Sequence, residues 1–168
     1  YRKTIPKVTI FLMLGLLAYG RTFRQPFLWD DARYILGSDF LHTGRLSELM
    51  GPDYYRLAEI RSWRPLGTGW DFLNARVWGR DPAGWRVTGL LLHIAAAAGA
   101  GLLGRRLAGL GTTGAAVTAL LFLVHPAHVE VVHGATFSKD IWATLFALGG
   151  LAAAASSRWG WSLAAFAA

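Results

Sequence analysis

The sequence predicts an all-α membrane protein with at least four transmembrane helices and a long polar first loop carrying short amphipathic helices outside the lipid. Three observations lead there. Of the 168 residues, 54% are hydrophobic and only 16% charged, whereas a soluble domain carries about a quarter charged residues. The apolar residues come in blocks. Many of the basic residues flank those blocks, as topology and lipid headgroups require. The net charge is +7, but no compact basic patch or nucleic-acid-binding motif accompanies it, which argues against a nucleic-acid partner. With no Cys in the chain, disulfides and thiolate metal sites are excluded.

Taken in order, residues 1–20 form a first transmembrane helix with a basic, cytoplasmic N-terminus. Its apolar core, Val8 to Tyr19, is shorter than the roughly 20 residues a crossing needs. Arg2, Lys3 and Lys7 snorkel at its start, and Phe23 and Phe27 extend its far end. No small-residue cleavage site follows, so the segment reads as a retained helix rather than a cleaved signal. Residues 21–83 form the extracytoplasmic loop. Its apolar residues Phe40, Leu41, Leu46, Leu49, Met50, Leu57 and Ile60 recur at roughly helical spacing, which predicts short amphipathic helices lying against the membrane surface.

A second transmembrane helix spans 84–104 and ends at Arg105 and Arg106. A Gly-rich cytoplasmic turn, 105–114, leads into the third, 115–125, which His125-Pro126 terminates or kinks. An extracytoplasmic segment, 126–140, precedes the fourth, 141–156. Residues 157–168 form a turn and the start of a fifth helix. The chain lacks an initiating Met and stops inside the apolar run Ser162 to Ala168; it reads as part of a longer polypeptide. With four alternating spans, Arg2, Lys3, Lys7, Arg105, Arg106 and Arg158 all fall on one side, the cytoplasm by the positive-inside rule. The first loop and the 126–140 segment then share the outer face. This places the protein in a membrane, taken as a bacterial inner membrane, with lipids as partners.

Several polar residues could carry chemistry. Asp30 and Asp31 follow Trp29 just outside the hydrocarbon. Adjacent carboxylates there can hold a divalent cation, one can act as a general base, or both can cap a short helix. His125, His128 and Glu130 put three titratable side chains within six residues at a membrane edge. They can anchor a phosphate or the acidic pair, or the histidines can bond backbone carbonyls as helix caps. A metal is disfavoured by Pro126 and the lack of a clear third ligand. Lys139 and Asp140 begin the fourth span, where Asp suits the helix dipole and Lys can meet an anion. Arg64 before Pro65 sets a guanidinium at a fixed turn, suited to phosphate or carboxylate. His93, with Gly89 and Ala97 one turn away on either side, either bonds a neighbouring helix or serves as an axial ligand to a pigment or haem.

In sequence order, Trp29-Asp30-Asp31, Trp63-Arg64-Pro65-Leu66, Asp81-Pro82 leading to Gly89 and His93, His125-Pro126-Ala127-His128-Val129-Glu130 and Ser138-Lys139-Asp140 make a set. Together they resemble the N-terminal membrane region of the TMTC-type protein O-mannosyltransferases and their bacterial relatives. The resemblance implies a partial GT-C glycosyltransferase fold and transfer of a sugar from a polyprenyl-phosphate carrier to a protein hydroxyl at the extracytoplasmic face. It assigns the catalytic base to Asp30 or Asp31, and donor or phosphate contacts to Arg64, His125, His128, Glu130, Lys139 and Asp140. Ser138 stands where relatives often have Arg. Such enzymes have more spans and often tetratricopeptide repeats, which are not visible here.

A different class also fits the residues: a non-catalytic accessory subunit of a larger membrane complex, with the small-residue runs Ala95 to Ala100 and Ala152 to Ala155 as packing faces. In that reading His93 would touch a pigment. A transporter is disfavoured by the scarcity of midplane charges and the lack of an inverted repeat.

Overall fold

A computed structural model describes residues 7–57 and 64–155, and every regular element among them is helical. The expectations placed on Arg2, Lys3, Trp63, Arg158 and the fifth helix lie outside the described residues. In order the helices are α1 (Lys7–Tyr19), α2 (Asp39–Thr43), α3 (Tyr54–Leu57), α4 (Pro65–Trp78), α5 (Pro82–Leu107), α6 (Thr112–Val124), α7 (Val129–His133) and α8 (Ser138–Ala155), joined by short 3₁₀ and π turns.

Helix ends follow local chemistry. The Asp81 carboxylate accepts hydrogen bonds from the backbone of Ala83 and Gly84, and Pro82 sits at the first helical position, where its missing N–H is harmless. These two residues start α5 two positions before the apolar block. Pro126 forces His125 out of the helical region, to φ −65°, ψ 128°, so α6 stops at Val124. The chain resumes in a direction bent by 49°.

Helix α5 is the hub, packed on both α6 and α8. Gly101 permits the closest approach: a Cβ there would stand 2.6 Å from the Ala115 carbonyl oxygen and 3.0 Å from the Ala119 Cβ. Small residues let helix backbones meet where bulky ones would hold them apart.

Among the described residues, α5 is the one helix that is by itself long and apolar enough to cross a membrane. The bent pair Thr112–Val124 with Pro126–His133 qualifies if taken as one span. Only 33% of the most apolar stretch of α5 is buried. Leu91 and Leu102 on α5, Met13 and Leu17 on α1, and Val117 and Leu121 on α6 are exposed. Exposed large apolar side chains on three helices fit contact with lipid or another protein.

The first loop departs from its expected form. Phe40, Leu41 and Leu49, predicted to lie along the membrane surface, are buried with Phe27, Ile35, Tyr54, Phe72 and Trp85 in a core of their own. Leu46 and Met50 do stay exposed. The reason is α4, fourteen residues long, whose Phe72 and Ala75 give the short helices an apolar partner inside the protein. Burying such aromatic side chains contributes about 1.5–3 kcal/mol each. Ala135 joins this core from the far end of the chain, which brings the segment after α7 against the first loop.

Candidate functional site

Two buried charges hold these distant segments together. Asp31 is 2% exposed. Its Oδ2 accepts the Ala135 N–H at 2.9 Å, and its Oδ1 accepts the Thr136 N–H at 2.9 Å and the Thr136 hydroxyl at 2.8 Å. Three donors satisfy most of a carboxylate's capacity, which makes burial affordable without a contacting cation. Arg86, 1% exposed on α5, works from beneath. Its guanidinium donates to the carbonyls of Gln25, Pro26 (2.6 Å) and His133 (3.0 Å). Arg86 therefore binds both segments, and its charge also interacts with that of Asp31.

Between the two segments lies a groove of about 580 Å³, within the range of small-ligand sites. Leu28, Trp29, Val129 and Phe137 give it mainly apolar walls, with Asp30, Asp31, Glu130 and His133 among them. Asp30 and Glu130 are both exposed, and neither side chain has a hydrogen-bonding or ionic partner among the described residues. His133 keeps Nε2 buried without a partner. Burial first, then the Arg86 charge, hold its imidazole below the usual histidine pKa, with Asp31 acting the other way. Trp29 adopts φ 44°, a left-handed conformation that a bulky residue takes only when its surroundings impose it. Trp29, next to the anchored Asp31, is 83% exposed and lines the groove.

The remaining predicted site residues lie elsewhere. His125 Nδ1 accepts the Ala127 N–H at 3.2 Å, and His128 Nδ1 bonds the Phe122 carbonyl at 2.9 Å. Both imidazoles thus serve the turn that ends α6, the capping alternative of the sequence reading, and neither lines the groove. Arg64 is exposed at the N-cap position of α4, makes no side-chain capping bond and does not line the groove. Asp140 is exposed; its backbone oxygen accepts the Thr144 hydroxyl at 2.8 Å. Lys139 is no free phosphate ligand. Its Nζ is 2.8 Å from Asp71 Oδ2, in a joint between α4 and α8. His93 is no open axial position either: its Nε2 bonds the Leu123 carbonyl at 3.0 Å and lies 3.5 Å from the Tyr19 hydroxyl. No group of three or more metal-ligating side chains is found among the described residues.

Sequence reasoning missed Arg86, Asp71 and Thr136. An Arg within the first turns of a predicted span was a visible signal, since a charge there needs a purpose. Asp71 and Thr136 carried none, because their partners are 68 and 105 residues away in the chain.

These features define a helical protein with an acidic groove built by two remote segments at the start of a long apolar helix. The chain is 31% identical over 134 residues to the protein O-mannosyl-transferase Tmtc1 of Drosophila melanogaster, covering 76% of this chain and 16% of that protein. It is 32% identical over 141 residues to protein O-mannosyl-transferase tmtc2 of Xenopus laevis, covering 80% and 17%. With human TMTC2 it shares 30% identity over the same length. The chain is thus a relative of the TMTC-type protein O-mannosyl-transferases, as its ordered motifs indicated. It spans about a sixth of the length of these curated relatives. No family profile matches it. No solved structure matches it either.

Proposed function

We propose that this chain forms the acceptor-activating part of a membrane glycosyltransferase that moves a sugar from a polyprenyl-phosphate carrier to a protein hydroxyl at the extracytoplasmic face. In this reading it corresponds to the N-terminal membrane region of a GT-C enzyme. Helices α1, α5, α6 and α8 alternate across the membrane, with Arg105 and Arg106 on the cytoplasmic side and the groove on the other.

One observation carries the reading: Asp31 is spent on holding residues 135 and 136, and this leaves the adjacent Asp30 free on a groove shared with Glu130. Asp30 is then the general base and Asp31 a positioning residue. Asp30 takes the proton of the acceptor hydroxyl as its oxygen bonds to the anomeric carbon. The bond from that carbon to the carrier phosphate breaks, and the lipid phosphate leaves with its electron pair. A positioned base of this kind contributes about 10²–10⁴ in rate. Cations for the leaving phosphate must come from outside the groove, since Lys139 is held by Asp71. Arg64 remains a candidate for that role.

The test is sugar transfer by the intact polypeptide in its membrane, from a polyprenyl-phosphate-linked mannose to acceptor protein. Asp30→Asn should lower the rate at least about a hundredfold while leaving the melting temperature unchanged. Transfer by that variant at the wild-type rate would sink the catalytic reading and favour the accessory-subunit role.

A further inference from the structure

The charge inventory of the groove points to a preference among acceptors. Asp31 is offset by three hydrogen-bond donors and by Arg86 beneath it. The His133 imidazole is held below the usual histidine pKa. Asp30 and Glu130 remain, two carboxylates without a partner among the described residues, on mainly apolar walls that include no described Lys or Arg. An anionic ligand would meet net negative charge. A cationic one would meet complementary charge strengthened by low-dielectric walls. The exposed Trp29 indole adds an aromatic face, which attracts guanidinium and ammonium groups.

We infer that the groove selects a polypeptide acceptor with a Lys or Arg close in sequence to the reacting Ser or Thr, the cation resting against Glu130 and Trp29 while the hydroxyl meets Asp30. This rests on the groove being the transfer site. It goes further in making Glu130 a specificity determinant rather than a phosphate contact. The carrier's phosphate is placed outside this groove for the same electrostatic reason.

The test compares matched peptides, identical except for Lys or Glu next to the acceptor Ser, with the intact polypeptide in nanodiscs. The Lys peptide should have the higher kcat/KM by about fivefold or more, an advantage that shrinks with added salt. Glu130→Gln should bring the ratio of the two peptides towards one, and Glu130→Lys should reverse it. Direct binding of the same peptides reads the same ratio without turnover. Equal binding and equal kcat/KM for the two peptides in the wild type overturn the inference, as does a ratio that Glu130→Lys leaves unchanged. The Asp30→Asn result separates the two levels. A wild-type enzyme that treats the peptides alike, with Asp30→Asn inactive, defeats the preference alone, whereas an active Asp30→Asn variant defeats the site itself.

Discussion

Asp31 and Asp71 are both buried carboxylates, 2% and 5% exposed, and both tie the first loop to the last third of the chain. Asp31 does so with three hydrogen bonds from neutral donors. Asp71 has one cation, Lys139, and beyond it only a weak contact with the Ser138 hydroxyl, whose geometry falls short of a full hydrogen bond. The outcome differs accordingly: desolvation raises the Asp71 pKa to about 6, against the pull of Lys139. A single ion pair does not repay the burial of a charge unless the remaining lone pairs also find donors. The first arrangement makes a rigid wall for the groove, and the second makes a joint that responds to protons.

The contrast is broken most strongly at Asp31. Asp31→Ala strands the Ala135 and Thr136 N–H groups and should destabilise the protein by about 4 kcal/mol, read as a large drop in melting temperature. If melting is unaffected, the groove is not held in this way.

At the joint, Lys139→Met leaves a buried carboxylate alone and should cost about 3 kcal/mol, whereas the double variant Asp71→Leu/Lys139→Met should return to within about 1 kcal/mol of wild type. A double variant as unstable as the sum of its parts would contradict the pairing.

The pH dependence sharpens the comparison further. Because the folded-state pKa of Asp71 lies near 6, above the ordinary 3.8, the folded protein binds this proton more tightly than the unfolded chain does. Its contribution is most favourable below about pH 4 and declines as pH rises to about 6, by no more than about 3 kcal/mol in all. The stability difference between wild type and Asp71→Asn, followed from pH 4 to 7, should show that decline, and a flat difference rules it out.

The smallest effect belongs to Gly67. A Cβ there would stand 2.7 Å from Lys139 Cγ, so Gly67→Ala must displace a flexible side chain. It should cost about 1 kcal/mol, and none of that cost should remain when Lys139 is Ala, which has no Cγ.

Much of the helical layout was legible in the residues. The apolar blocks placed α5, α6 and α8. His125-Pro126 set one of the boundaries, while α5 begins at Pro82, two residues before the expected start, because the Asp81 cap and proline sterics act locally. The Trp29-Asp30-Asp31 and Glu130 motifs also named both walls of the groove. The first loop was harder. Its apolar spacing fits a surface helix and a small internal core equally well, and only the packing of α4 separates the two.

The division of labour between Asp30 and Asp31 was beyond the sequence for a related reason. The two are chemically identical neighbours, and what distinguishes them is a pair of backbone N–H groups more than a hundred residues away. Lys139 likewise reads as a free cation until Asp71 is folded against it, and His93 as a ligand until the end of α6 presents the Leu123 carbonyl. Hydrophobicity, capping and proline sterics act locally, so the residue order alone set which segments become helices and which ionisable groups gather near their ends. Which of those groups are spent on holding the structure, and which stay free to meet a substrate, was decided by the tertiary structure, because desolvation and hydrogen-bond satisfaction depend on what packs against each group from elsewhere in the chain.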